Sequence, residues 1–379
     1  MRDKIFITTS SRADYSPLKN LITIFEKDKK FNTFLIVMGQ HLNKNSGNTI
    51  NEIIKNHKVK IKKIKNKIKR YRELEISFSI SQIIKDFSFL LNKLKPKLII
   101  VLGDRYEIMS CAIAAVQFRV PIAHIHGGET TKGSLDNIYR DSISKLSHIH
   151  FVSHDKYKKK LIKIGEDPKL IFNYGSPSIE KIYNHKLVKI NNSVSQFIKS
   201  RKTYIVTYHP NTLDPNQTNR ELDVLLSAIA KLKNFNFIFT YPNLDIFHSS
   251  VVEKINEFIK DRSNMMIVKS FGKEKYFSVL SSIAGMIGNS SSAIYESSSF
   301  KIPALNIGSR QEGRIITPNI INCNFSRDSI IKGIMRMSSI SFFKKIYKIK
   351  NPFFRHNTSL NIYKKICSIN FNKIVYKKL

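Results

Sequence analysis

Short apolar runs alternate with helical patterns along most of the chain, and a polar turn follows each run. That rhythm constrains the fold more than any other feature. In the first half, Lys4–Thr8, Thr33–Met38, Lys97–Leu102, Pro121–His126 and His148–Val152 read as strands. Helical patterns lie between them over Ser16–Glu26, Ile76–Leu94, Tyr106–Phe118 and Asn137–Leu146. The second half repeats the scheme. Its strands are Tyr204–Thr207, Asn236–Thr240, Met265–Val268, Gly285–Ile287 and Ala304–Ile307, and its helices are Glu221–Leu232, Val251–Lys260, Lys273–Ser282 and Ser292–Ser299. Strands alternating with helices predict βαβ units and parallel sheets. With 379 residues the chain is too long for one typical core, so two domains are expected. The boundaries read as 1–183 for the first α/β, Rossmann-like domain, a polar linker over 184–201, and a second such domain over 202–354. No short-period repeat is visible, which excludes a solenoid. In open α/β sheets ligands sit beyond the carboxyl ends of the strands. Two such domains in succession therefore predict an enzyme with its active site in an interdomain cleft.

Composition narrows the class. Hydrophobic residues make up 42%, enough to bury real cores. No apolar run approaches the roughly 20 residues that span a bilayer. The start has only Ile5-Phe6-Ile7 as an apolar stretch, too short for a secretory signal, so a cytoplasmic protein is expected. Cys111, Cys323 and Cys367 are far apart and form no CxxC pair, which argues against a disulfide framework or zinc knuckle. The net charge of +36 admits a polyanion partner. However, lysine is rich alongside isoleucine, asparagine and phenylalanine, the residues an AT-biased coding sequence favours, and the basic residues are spread along the chain. Nucleic acid is not the expected partner. The densest basic stretch runs from Lys55 to Arg72 and includes Lys58, Lys60, Lys62, Lys63, Lys65, Lys67, Lys69 and Arg70. Its apolar residues, Val59, Ile61, Ile64 and Ile68, suit an amphipathic strand or surface segment.

Five polar clusters follow strands. Ser10-Ser11-Arg12-Ala13-Asp14-Tyr15 joins the first strand to the first helix. It reads either as an anion site, with backbone N–H groups and the Arg12 fork, or as a plain capped helix start. Neither GxGxxG nor GxxxxGK[ST] occurs. Gly103-Asp104-Arg105-Tyr106-Glu107 offers Asp104 either as an acid/base group or as a helix cap. In His124-Ile125-His126-Gly127-Gly128-Glu129, strand alternation puts both histidines on one face. With Asp104 and Glu129 they contain metal-ligand types, but nothing completes a familiar ligand set, so no metal is expected. Acid/base work is the reading that suits histidine. Asp136 and Arg140 are spaced to share a helix face, and His148-Ile149-His150 follows. In the second half come His209-Pro210-Asn211, then Gly288-Asn289-Ser290-Ser291-Ser292-Ala293-Ile294-Tyr295-Glu296, whose N–H and hydroxyl donors suit a pyrophosphate. Gly308-Ser309-Arg310-Gln311-Glu312-Gly313-Arg314 adds two guanidinium groups.

The clusters occur in a fixed order: SRADYSPL, LGDRYE, HIHGGETTKGSLDNIYRDSISKLSHIHFVS, YGSPSIE, TYHPNTL, YPNLD and GNSSSAIYESSSFKIPALNIGSRQEGR. That ordered set resembles the hydrolysing branch of the UDP-N-acetylglucosamine 2-epimerase family, which feeds sialic-acid and related nonulosonate synthesis. The resemblance covers about Ile5 to Ile315. It implies a GT-B-type fold with a C-terminal helix, about 355–379, packed on the N-terminal domain, and a nucleotide-binding C-terminal domain. It also implies loss of the nucleoside diphosphate from the anomeric carbon of a UDP- or GDP-linked 2-acetamido sugar with loss of the C2 proton, then hydration of the resulting 2-acetamidoglycal to a free 2-epimeric sugar such as N-acetylmannosamine. Matching positions assign Asp104, His126 and Asp136 to acid/base chemistry, with Glu129, Arg140 and His41 beside them. Arg12, His209, Asn289, Ser290, Ser291, Glu296, Arg310 and Arg314 fall on the nucleotide side. A homo-oligomer, dimer or tetramer, without a cofactor is implied. The chain departs from the family pattern at Ser10-Ser11-Arg12, Asp136-Asn137 and Arg140-Asp141-Ser142, and non-hydrolysing relatives often carry glutamate at the place of His126. Two rivals remain: a GT-B glycosyltransferase, which would not need the HIHGGE and DNIYR clusters, and a basic nucleic-acid-binding protein, for which no reader motif is present.

Overall fold

The computed structural model describes residues 2–43, 49–65, 68, 72–131, 135–183, 186–210, 215–242 and 248–377. Lys67, Lys69 and Arg70 of the basic stretch and Asn211 of the His-Pro-Asn cluster lie outside them. The chain divides into two units. Unit 1 is Met1–Glu129, Asp136–Lys181 and Phe353–Leu379, and unit 2 is Thr130–Leu135 and Ile182–Pro352.

Unit 1 runs β1 Asp3–Thr9, α1 Arg12–Lys27, β2 Phe31–Val37, α2 Ile50–Asn56, β3 Lys60–Lys63, α3 Glu73–Leu94, β4 Leu98–Leu102, α4 Tyr106–Gln117, β5 Ile122–Ile125, α5 Asp136–Leu146, β6 Ile149–Val152, α6 Asp155–Lys163, β7 Ile171–Asn173 and α7 Pro177–Tyr183. Its seven strands are parallel in the order β3-β2-β1-β4-β5-β6-β7. Strand alternation splits the apolar residues between two layers. Ile5, Ile7, Ile100 and Leu102 face a core shared with Leu18, Leu21 and Ile22 of α1. Phe6, Ile99 and Val101 face the opposite core, with Ile83 and Phe87 of α3 and Ile108 of α4. β3 lies at the edge, where exposed lysines discourage a further strand. Its sequel Ile64 is buried, so the basic stretch is half amphipathic strand, as its pattern suggests.

Unit 2 runs α8 Asn192–Ser200, β8 Thr203–Thr207, α9 Pro215–Ala230, β9 Asn236–Thr240, α10 His248–Ile259, β10 Met265–Val268, α11 Lys273–Leu280, β11 Gly285–Gly288, α12 Ser291–Tyr295, β12 Ala304–Ile307, β13 Ile320–Cys323, α13 Arg327–Met337 and α14 Ile340–Ile346. The sheet is parallel in the order β10-β9-β8-β11-β12-β13. Tyr204 and Val206 of β8 face a core with Leu222 and Leu225 of α9 and Ile330 and Ile334 of α13. The last helix, α15 Thr358–Ser368, belongs to unit 1, where Ile362 and Ile366 join the α1 core. No helix among the described residues is long and apolar enough to cross a membrane.

Four sequence expectations change. Within 184–201, α8 forms where a polar linker was expected, because Val194 and Ile198 recur at helical spacing and are buried. The strand expected over Pro121–His126 stops at Ile125, since His126 takes a φ of +67°. The histidines therefore do not share a strand face. The helix expected over Ser292–Ser299 is only Ser291–Tyr295. Beyond it the Ser297 hydroxyl donates back to the Ala293 carbonyl, a bond that competes with the helix ladder. Finally, β7 and β13 were not among the expected strands: both lie at sheet edges, β7 has three residues, and β13 is buried only at Ile320.

Both sheets reverse direction once, between β1 and β4 in unit 1 and between β8 and β11 in unit 2. Such switch points open a crevice beyond the strands' carboxyl ends. The polar clusters that follow β1, β4, β8 and β11 stand at these two places.

Candidate active site

At the unit 1 switch point the loop after β1 is organised around one carboxylate. Asp14, buried in the first turn of α1, accepts from Ser10 N and Ser10 Oγ at 2.8 Å, Ser11 N at 2.9 Å and Thr9 Oγ1 at 2.8 Å. Those backbone donors therefore turn inwards, where an anion site was one reading of the loop. Arg12 is exposed at the start of α1. His41 is fully buried behind this loop, with Nε2 2.9 Å from Thr9 Oγ1 and Nδ1 2.5 Å from Thr49 Oγ1. Burial lowers its proton affinity, against the pull of Asp14. Both His41 ring nitrogens are engaged by threonine hydroxyls.

β4 and β5 are neighbours in register, Leu102 beside Ile125, so Asp104 and His126 leave the carboxyl ends of adjacent strands. Asp104 is ion-paired with the buried guanidinium of Arg140 from α5. His124 supports the turn between them. Its Nε2 lies 2.8 Å from the Gly103 carbonyl and its Nδ1 3.1 Å from Ser144 Oγ. It is fully buried, and burial pushes it down to about 3, so it is a neutral strut. His126 instead reaches Glu129 and Ser176. Its Nδ1 is 3.3 Å from Glu129 Oε1 and its Nε2 3.2 Å from Ser176 Oγ. Ser153 Oγ donates to Glu129 Oε1 at 2.9 Å. The glycines after His126 are required by contact: a Cβ on Gly128 (φ +76°) would lie 2.7 Å from the Tyr157 carbonyl. Asp136 opens α5 half-buried, and its charge adds to burial in raising Tyr139.

His148 and His150 play no part here. His148 Nδ1 accepts from Ile122 N at 3.2 Å, and His150 Nε2 is 2.9 Å from Glu166 Oε2. Burial raises the Glu166 carboxyl, but bonds from His150 and Lys377 overcome this and hold it near about 2. Among the described residues no group of three or more His, Cys, Asp or Glu is arranged to hold a metal ion.

The unit 2 switch point is built from amides and hydroxyls. Asn289 bridges the ends of β8 and β11: its Oδ1 accepts from His209 N at 2.7 Å and its Nδ2 donates to His209 O at 2.8 Å. Gln311 Nε2 donates to the Asn289 carbonyl at 2.6 Å. His209 is pushed down to about 3, by burial first and then by Arg310, so its ring is neutral. Arg310 Nη1 donates to Pro210 O at 3.1 Å. Ser290 caps α12 by accepting from Ser292 N, Ser291 is exposed, and Glu296 accepts from Ser292 Oγ, which also lies 2.7 Å from Tyr276 OH. Arg314 is buried and tied to its own unit, donating to Thr130 O at 3.0 Å and Thr131 Oγ1 at 2.7 Å over the Tyr295 ring. Its place is that of a loop clamp. The roles of Asp14, His124, Ser176 and Gln311 were not assigned from sequence. Asp14 bonds within its own loop, read from sequence as a possible capped helix start, whereas His124, Ser176 and Gln311 meet partners in other segments and left no local signal.

The family model for UDP-N-acetylglucosamine 2-epimerases matches residues 23–367. The chain belongs to that family. It is 38% identical over 322 residues to a GDP/UDP-N,N'-diacetylbacillosamine 2-epimerase (hydrolyzing) of Campylobacter jejuni, covering 84% of each chain. It is 34% identical over 360 residues to polysialic acid biosynthesis protein P7 of Escherichia coli, covering 94% of this chain and 92% of that one. A crystal structure of UDP-GlcNAc 2-epimerase from Neisseria meningitidis bound to UDP-GlcNAc superposes with a TM-score of 0.82 at 16% identity, over 97% of this chain and 100% of that one. This likeness shows the fold. The chain therefore has the expected α/β architecture of GT-B type, with two Rossmann-like units.

Proposed function

We propose that this 2-epimerase is of the hydrolysing kind and converts a UDP- or GDP-linked 2-acetamido sugar to the nucleoside diphosphate and the free 2-epimeric sugar. The names of its relatives favour this reading, since those from Campylobacter jejuni and Legionella pneumophila carry the word hydrolyzing and act on N,N'-diacetylbacillosamine-linked nucleotides. The observation that carries it is the pair of titratable groups at the ends of β4 and β5. Asp104 and His126 each come with an ion partner, Arg140 and Glu129. Elimination at C1–C2 needs one group to take the C2 proton and another to assist the departing diphosphate, and hydration needs them in reverse. Asp104, His126 and Asp136 form that set. Arg140 and Glu129 hold the first two in place. Nucleotide recognition falls to His209, Asn289, Ser290, Ser291, Glu296 and Arg310, with Arg12 supplying a cation for phosphate.

A glycosyltransferase would bind the nucleotide with similar unit 2 groups but has no use for paired acid/base groups after β4 and β5. Incubation with UDP-N-acetylglucosamine, and with UDP- and GDP-linked 2,4-diacetamido sugars, without acceptor decides between them. NMR should show a free 2-epimeric sugar and the nucleoside diphosphate. Turnover only on addition of an acceptor sugar would favour the transferase, and a nucleotide-linked epimer as product would remove the hydrolysing assignment.

A further inference from the structure

One buried hydroxyl outside the groups assigned above meets the ring that the chemistry uses. Ser176 lies between β7 and α7, fully buried, with Oγ 3.2 Å from His126 Nε2. The other ring nitrogen faces Glu129, and Ser153 donates to the same carboxylate oxygen. Ser153, Glu129, His126 and Ser176 therefore form one line of contacts. A carboxylate only accepts, so it fixes Nδ1 as the protonated nitrogen of the neutral ring. Nε2 is left with the lone pair. A hydroxyl both donates and accepts, so Ser176 can satisfy Nε2 in either state: its O–H donates to bare Nε2, and its oxygen accepts from Nε2–H once the ring is protonated.

We propose that Ser176 is a positioning residue for His126: Glu129 sets the Nδ1–H tautomer, and the Ser176 hydroxyl at Nε2 holds the ring in place whichever form Nε2 takes. This rests on the reading of His126 as an acid/base group. The backbone is built to hold the hydroxyl still. Ser176 N donates to Phe353 O at 2.8 Å, and its carbonyl accepts from Ile179 N and Glu180 N at 3.0 and 3.2 Å. Gly175 (φ +78°) leads into it, and a Cβ there would lie 2.7 Å from the Phe353 carbonyl. Full burial keeps the hydroxyl from serving as a nucleophile toward a substrate, so the ring is what it serves. The charged and titratable groups facing the ring are Glu129 from the same loop and His124 from β5, with Arg355 packed on Gly175.

The test is 15N NMR of histidine-labelled full-length protein, with His126 assigned from His126→Gln, beside steady-state kinetics. In the wild type the neutral His126 ring should carry its proton on Nδ1. Glu129→Gln should lower the midpoint of the His126 titration by about 1 pH unit or more, as expected when an opposite charge in contact is removed. Ser176→Ala should lower kcat about tenfold with KM and the tautomer little changed, and Ser176→Thr should restore most of kcat. An Nε2–H tautomer in the wild type overturns the proposal. So does a Ser176→Ala variant with unchanged kcat, or a Ser176→Thr variant as impaired as alanine. The wild-type spectrum needs no turnover, so an Nε2–H tautomer there overturns the proposal whether or not the epimerase reading holds.

Discussion

The two switch points have the same topology and opposite chemistry. After β4 and β5 of unit 1, carboxylates meet cations and imidazole: Asp104 with Arg140, and Glu129 with His126. After β8 and β11 of unit 2, a neutral amide lattice joins His209, Asn289 and Gln311. Charged pairs can exchange protons and answer to pH. Amides and hydroxyls bring fixed dipoles that recognise a ligand without changing state. On the proposed reading, one α/β plan carries a reactive end in unit 1 and a recognition end in unit 2, and the difference lies in the few residues that follow each strand.

The contrast is easiest to break at its reactive end. Asp104→Asn and His126→Ala should each lower kcat by about 10²–10⁴-fold, the range of general acid/base contributions, while calorimetric affinity for UDP stays within a few-fold. Turnover near wild type in either variant would dissolve the distinction. At the recognition end the expected loss is smaller and of the other kind. Ser290→Ala and Arg310→Ala should weaken UDP binding roughly tenfold or more, since a hydrogen bond to a charged group is worth about 1.5–3 kcal/mol. Unchanged UDP affinity in both variants would remove unit 2 from nucleotide recognition.

A third prediction sharpens the contrast through stability. His124 and His209 are both buried and both pushed down to about 3. In the unfolded chain they titrate near about 6.5. Below that pH the unfolded state binds protons that the folded state refuses, so stability falls as pH drops from about 6.5 toward 3. Each histidine contributes up to about 1.4 kcal/mol per pH unit. Chemical denaturation from pH 7 to 4 should show this slope, and His124→Asn should flatten it. An unchanged slope in that variant would mean that His124 is not a neutral strut. The smallest expected effect is none: exhaustive EDTA treatment should leave turnover intact, and a loss restored by a divalent ion would place a metal in the reaction.

How much of this was legible in the sequence follows from what each signal measures. Apolar runs such as Leu98–Leu102 mark strands buried on both faces, so the sheets could be read locally. The order of the motifs gave the family and most of the residues at both switch points. Side-chain direction was harder. His124 and His126 were expected on one face, but the left-handed backbone at His126 sends one ring to the Gly103 carbonyl and the other to Glu129. Arg314 was expected on the nucleotide side, and its bonds to Thr130 and Thr131 left no mark in the sequence. His41 was expected beside the acid/base set, and its contacts with Thr9 and Thr49 left no mark in the sequence. Ser176 meets His126 across fifty residues of chain. Long-range pairs of this kind leave no periodicity in a single sequence.

The account's central claim is that the reactive end of unit 1 removes and returns the proton at C2 while the nucleoside diphosphate leaves. Running the reaction in D₂O and reading the product by NMR tests it most directly. The account predicts free 2-epimeric sugar with deuterium at C2, because elimination discards the original proton and solvent supplies the new one. A free sugar that keeps its C2 hydrogen would contradict it.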